Sequence, residues 1–181
     1  HTGRELEVFV INRALLSYCK ALHLGKATAI FNLMHPHPTR LSYSTHTEGL
    51  PEPLCEPDDD TYVIYMNLLE KIADLSRKGQ VNYIKEPIPS QEEVLELAKQ
   101  AYGMALQTMM IPPYDVFARM LSLYVGAKQI GRADVVFSQM KEAGHDPRPE
   151  HYRQLIEGFR SVGNQSAAQN LQREMQRRHS E

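Results

Sequence analysis

Residues 114–148 read YDVFARMLSLYVGAKQIGRADVVFSQMKEAGHDPR, and residues 149–181 read PEHYRQLIEGFRSVGNQSAAQNLQREMQRRHSE. At an offset of 35 the two stretches share one pattern of apolar and small residues. Tyr124, Ile130, Ala133, Phe137, Met140, Gly144 and Pro147 hold positions 11, 17, 20, 24, 27, 31 and 34 of a unit starting at Tyr114. In the next unit Phe159, Ala168 and Met175 fall at positions 11, 20 and 27. A period between about 20 and 50 residues marks repeat architectures, in which each unit is too small to bury its own apolar face and stacks on its neighbours.

Within the unit, Val116, Met120, Leu121 and Tyr124 recur at helical spacing, residues 127–129 turn the chain, and Ile130, Ala133, Val136, Phe137 and Met140 recur again. The pattern predicts an αα-hairpin. Gly144 stands where a left-handed residue ends the second helix, and Pro147 and Pro149 stop it and start the next. The last unit repeats the plan, with helices over 151–162 and 165–177 around Gly163 and Asn164. Outward toward the N-terminus, residues 9–22 and 25–34 form a further hairpin, with Tyr18, Leu24, Ala27, Phe31 and Met34 at positions 11, 17, 20, 24 and 27 of a unit beginning at Val8. Residues 36–57 are rich in Pro, Thr, Ser and His, lack a period and read as a loop that ends acidic. Asp58, Asp59 and Asp60 are placed to cap a helix over 61–78 and to favour its dipole. Ser90 and Glu93 form a capping box for its partner helix. The connector between these helices, about 79–90, is longer than the usual helix-hairpin turn and reads as an insertion, with 80–84 locally extended. The expectation is an all-α chain: one domain over 1–181, a short α-solenoid with hairpins at about 4–35, 58–112, 114–148 and 149–181.

These positions resemble the pentatricopeptide repeat, a 35-residue helical hairpin. The third unit carries Phe117, Met120, Leu121, Tyr124, Ala133, Phe137, Met140, Gly144 and Pro147, and the fourth Tyr152, Leu155, Ile156, Phe159, Gly163, Ala168, Leu171 and Met175. The first keeps Ala14, Leu15, Tyr18, Cys19, Lys20, Ala27, Phe31 and Met34; the second keeps Tyr62, Ala98, Tyr102 and Pro112 around its insertion. A tetratricopeptide array, the near competitor, has a shorter period and a Trp signature, and this chain has no Trp.

The resemblance implies single-stranded organellar RNA as the family's usual ligand, one base per repeat, read by side chains at positions 5 and 35. This chain departs from that pattern. Position 5 is Ala118 in the third unit and Arg153 in the fourth, and position 35 of the third is Arg148. Asn12 alone has the right chemistry, and its partner position, Ser42, falls in the loop. The net charge of −2 and a pI near 6.5 supply no pull toward a phosphate backbone. The expected role is therefore a protein-binding scaffold, an accessory subunit contacting protein subunits of a multi-subunit mitochondrial complex such as an ATP synthase or a mitochondrial ribosome, with RNA disfavoured as a partner. The family resemblance implies a mitochondrial address; a start at His1 fits a processed form and a trimmed chain equally and gives no compartment by itself.

Tyr102, Met109, Met110 and Tyr114, beside the second unit's end, are the apolar residues expected to exceed core needs, and with Arg173 and Arg177 of the basic end they form the candidate protein interface. Arg178 and His179 belong to the same basic run, which suits the C-terminal dipole of the last helix. Cys19 and Cys55 read as two reduced thiols, too few for a disulfide scaffold or a four-cysteine zinc site. His35 and His37, with His46 or Cys55, lack the spacing of a metal site, and helix capping accounts for the aspartates without a cation. No phosphate loop, nucleophile elbow or run of about 18 apolar residues occurs, so the sequence leads to no catalytic residue, cofactor, metal or membrane span.

Overall fold

The computed structural model describes residues 2–35, 55–80, 82, 87 and 89–178. Among these residues it is all-helical, with eight α-helices and no strand: α1 (Thr2–Lys20), α2 (Leu24–Asn32), α3 (Asp59–Arg77), α4 (Gln91–Thr108), α5 (Tyr114–Gly126), α6 (Ile130–Glu142), α7 (Pro149–Ser161) and α8 (Gln165–Arg178). Most of the loop expected at 36–57, and most of the connector at 79–90, lie outside the described residues. The chain divides into two compact units, His1–Val116 and Phe117–Glu181.

Helix ends follow local chemistry. Asp58 is the N-cap of α3, accepting from the Thr61 amide at 2.9 Å, while the Thr61 hydroxyl accepts from the Asp58 amide at 3.2 Å. Thr61 here takes the reciprocal part that Glu plays in the usual box. Asp59 and Asp60 fill the first turn, where carboxylates suit the positive end of the helix dipole. Ser90 and Glu93 make the expected box at α4, with bonds of 3.1 and 2.7 Å. Pro149 opens α7 two residues earlier than the apolar period indicates, because proline's fixed φ suits a first helical position.

Five helices end in the same way. Leu22, Gly79, Lys128, Gly144 and Gly163 are left-handed, with φ between 57° and 83°, and after each the next amide reaches back five residues: His23 to Tyr18, Gln80 to Leu75, Gln129 to Tyr124, His145 to Met140 and Asn164 to Phe159. This Schellman geometry satisfies carbonyls the helix leaves open. Glycine enters it without steric cost, whereas Leu22 and Lys128 do so against a Cβ penalty. Lys128 and Gly163 are 35 residues apart, so the turn recurs with the sequence period.

In the first unit α1 packs on α2 and α3, α2 on α3, and α3 on α4. Phe31 of α2 is fully buried, stacked on Tyr65 of α3 at 4.3 Å between ring centroids and edge-on to Tyr62 at 5.6 Å. In the second unit α7 packs on α6 and α8. Gly158 of α7 admits Ile130 of α6 so closely that a Cβ there would stand 2.8 Å from the Ile130 Cδ1. Phe137 meets Tyr152 edge to face at 4.9 Å, and Ala133, Met140 and Leu155 are sealed with them from solvent. Each buried aliphatic or phenyl side chain contributes roughly 1.5 to 3 kcal/mol by leaving water.

Candidate functional site

The sequence directs attention to the base-reading positions first. Asn12 sits on α1 with only 7% of its surface exposed, on a face turned toward the start of α3. Its Nδ2 donates to Asp58 Oδ1 at 2.8 Å, and its Oδ1 accepts from the Thr61 hydroxyl at 2.8 Å. The side chain thus ties α1 to the α3 cap across 46 residues of chain. Ala118 is buried at 5% exposure, so it offers neither a polar atom nor an accessible surface. Arg148 and Arg153 are exposed, and Arg148 stands 4.0 Å from Glu150. Ser42 lies outside the described residues.

A second polar chain runs beside the Asn12 cluster. His35 is buried, its Nδ1 bonded to the Phe31 carbonyl at 2.8 Å and its Nε2 to the Tyr62 hydroxyl at 3.0 Å. The Tyr62 hydroxyl also meets Thr108 Oγ1 at the end of α4, at 2.9 Å, and the Thr108 hydroxyl reaches the Met104 carbonyl at 2.8 Å. Burial pushes the Tyr62 phenol up, with the Thr108 bond opposing. The sequence places His35 at the edge of a loop as a solvated histidine; instead it is buried, both its ring nitrogens are engaged and its ring packs 4.3 Å from Phe31. Its proposed companions His37 and His46 fall outside the described residues, among which no cluster of three metal-ligating side chains occurs.

Cys19 and Cys55 are buried and unlinked. Burial pushes the Cys19 thiol up to about 12. Cys55 is raised by burial first, then by the negative charges of Glu7 and Asp58. Neither is a poised nucleophile, since reactivity needs the thiolate.

Of the candidate interface residues, Tyr102 is buried at 7% exposure; it faces inward from α4 because it continues the apolar stripe of Ala98, Ala101 and Ala105. Tyr114 and Met109 are half-buried, and Met110 is 99% exposed. Ile111, which sequence reasoning passed over, is 54% exposed beside it. The signal was available: three consecutive apolar residues outside any helix, halted by Pro112 and Pro113. Residues 108–111 face the start of α3 across an open groove of about 630 Å³, whose other wall is Pro57, Asp58, Asp59 and Asp60.

Arg173 and Arg177 belong to α8 in the other unit and are exposed. Their neighbour Arg178 is neutralised by Asp146 at 3.0 Å and Glu174 at 3.7 Å. Glu174 is itself a junction, accepting from the Tyr152 hydroxyl at 3.0 Å and from Lys141 Nζ at 3.2 Å. Burial and that bond to Glu174 push the Tyr152 phenol up to about 12.

No helix of the described residues is long and apolar enough to cross a membrane. No protein-family model matches the chain, and no characterised protein matches it significantly.

Proposed function

We propose that this chain is a non-catalytic scaffold of the pentatricopeptide-repeat type, four helical hairpins stacked as a short α-solenoid, serving as an accessory subunit of a large mitochondrial complex. The reading is carried by Asn12. The one side chain with the chemistry to read a base is consumed by Asp58 and Thr61, so its amide does structural work between α1 and α3. Ala118, at the same position of a later unit, is apolar and buried. Most packing positions of the repeat are buried, among them Ala27, Phe31, Ala133, Phe137, Met140 and Ala168, while two of its reading positions, Asn12 and Ala118, are taken into the interior, and such a surface suits a protein partner.

In size, helix number and degenerate reading positions the chain resembles the small subunit attached to the outside of the catalytic-sector α subunit in euglenozoan mitochondrial ATP synthase. We assign the chain to that role, on the F1 sector at the matrix side of the inner membrane. The exposed arginines Arg148, Arg153, Arg173 and Arg177 favour the second reading, an RNA-associated or mitochondrial-ribosome protein.

The test is affinity purification of the tagged chain from mitochondria, paired with RNA-binding measurements at physiological salt. Comigration with the α and β subunits of F1, with no RNA affinity, is expected. Comigration with ribosomal proteins, or submicromolar binding to organellar RNA at that salt, overturns the assignment.

A further inference from the structure

The groove between the start of α3 and the end of α4 combines features that a merely solvated loop does not need. Its walls are pinned from behind. The Tyr62 hydroxyl holds Thr108 at 2.9 Å, and Asp58 is held by Asn12 at 2.8 Å and by the Thr61 amide at 2.9 Å. Upon this fixed frame the chain presents Met110 almost wholly to water, with Ile111 more than half exposed. Methionine's flexible thioether adapts to a partner's shape, and large exposed apolar side chains at a groove rim are costly unless something covers them.

The opposite wall is anionic. Asp58, Asp59 and Asp60 line it, and all three are exposed. No ion pair to any of these three carboxylates occurs among the described residues. The α3 dipole and the bonds to Asp58 offset part of this charge, but with no cationic side chain paired to it the rim still favours a cation over phosphate or anionic lipid. A groove of about 630 Å³ holds a few side chains, which suits a short segment.

We propose that this groove docks a cationic, aliphatic segment of a protein partner: a Lys or Arg set beside Leu, Ile, Val or Met. The aliphatic side chain packs on Met109, Met110 and Ile111, and the cation faces Asp59 and Asp60. The proposal rests on the scaffold reading above and holds whichever complex the scaffold serves. The apolar contacts supply the anchor, while the carboxylates set the salt dependence and the choice of partner.

The experiment uses the full chain and two synthetic amphipathic peptides, one with leucines and lysines at helical spacing and one with glutamates replacing the lysines, titrated by fluorescence anisotropy. Wild type binds the lysine peptide and not the glutamate peptide, and binding weakens as salt rises. Met110→Glu and the double variant Asp59→Asn/Asp60→Asn each weaken it at least about tenfold, a measurable loss of affinity. Val135→Glu, an exposed site in the other unit, leaves it unchanged. These positions are exposed, so circular dichroism is expected to show intact helices in all variants. Equal binding of both peptides, equal binding by the groove variants, or a wild-type dimer in sedimentation that Met110→Glu dissociates overturns the proposal. Comigration with F1 would survive any of these outcomes, so the two readings fail separately.

Discussion

Asn12→Ala separates a structural amide from a base-reading one. The substitution removes a hydrogen bond to the Asp58 carboxylate, which for a charged acceptor is worth about 1.5 to 3 kcal/mol. The Thr61 hydroxyl loses an acceptor too, but it has a single proton and Asp58 Oδ1 stands 2.8 Å away to receive it. That loss therefore adds little. Asp58 is exposed at its outer edge, so water recovers part of the carboxylate's solvation, and the low end of the range applies, about 1.5 to 2 kcal/mol. For a chain of 181 residues the melting midpoint should fall by about 3 to 8 °C, at roughly 2 to 4 °C per kcal/mol. A surface residue kept for RNA would change stability by less than about 0.5 kcal/mol. Urea unfolding followed by far-ultraviolet circular dichroism measures the loss, and a double-mutant cycle with Asp58→Ala should return a coupling of about 0.5 kcal/mol or more. Wild-type stability in Asn12→Ala, together with a loss of RNA affinity, would refute the reasoning.

Other substitutions probe the packing and the polar chain. Tyr62→Phe keeps the ring but removes the hydroxyl bonded to His35 Nε2 and Thr108 Oγ1, and at about 0.5 to 1.5 kcal/mol per hydrogen bond should cost about 1 to 3 kcal/mol by chemical denaturation. Ala133→Leu forces new methylenes into a site with no exposure, at a cost of about 1 to 3 kcal/mol; an unchanged melting temperature would remove Ala133 from the helix contact. Lys128→Gly relieves a left-handed backbone at 58° and should stabilise by about 0.5 to 1 kcal/mol, since the Cβ penalty exceeds glycine's entropic cost there. Cys19, raised from 9.0 to about 12, favours the folded state fully at neutral pH, and that contribution is lost as pH rises from about 9 toward 12. Cys19→Ala should accordingly flatten the alkaline fall in melting temperature, and the wild-type thiol should resist alkylation at neutral pH until the chain unfolds.

The helices were legible because their signals are local. Asp58, Ser90 with Glu93, Gly144 and Pro149 are caps and stops that act within a few residues of themselves. Leu22 and Lys128 were not legible as left-handed turns, because neither residue favours that backbone and only the surrounding bonds impose it. Residue type and spacing alone mark Asn12 as a leftover of a lost base-reading code and His35 as a loop histidine without a metal site, and name no partner for either. Their partners lie 46 and 27 residues away, beyond any local pattern. Tyr102 fits both the apolar period of α4 and a surface beside the insertion by sequence, and the alanine stripe on either side turns it inward.

By itself, the sequence determined the all-helical character, the helix limits to within a few residues in most cases, and the apolar positions at the 35-residue spacing, since periodicity and capping are properties of neighbouring residues. Only the tertiary structure decided which polar side chains were already spoken for. Hydrogen-bond partners and burial are set by elements far apart in the chain, and it is their meeting that commits Asn12 to Asp58 and leaves Met110 in water.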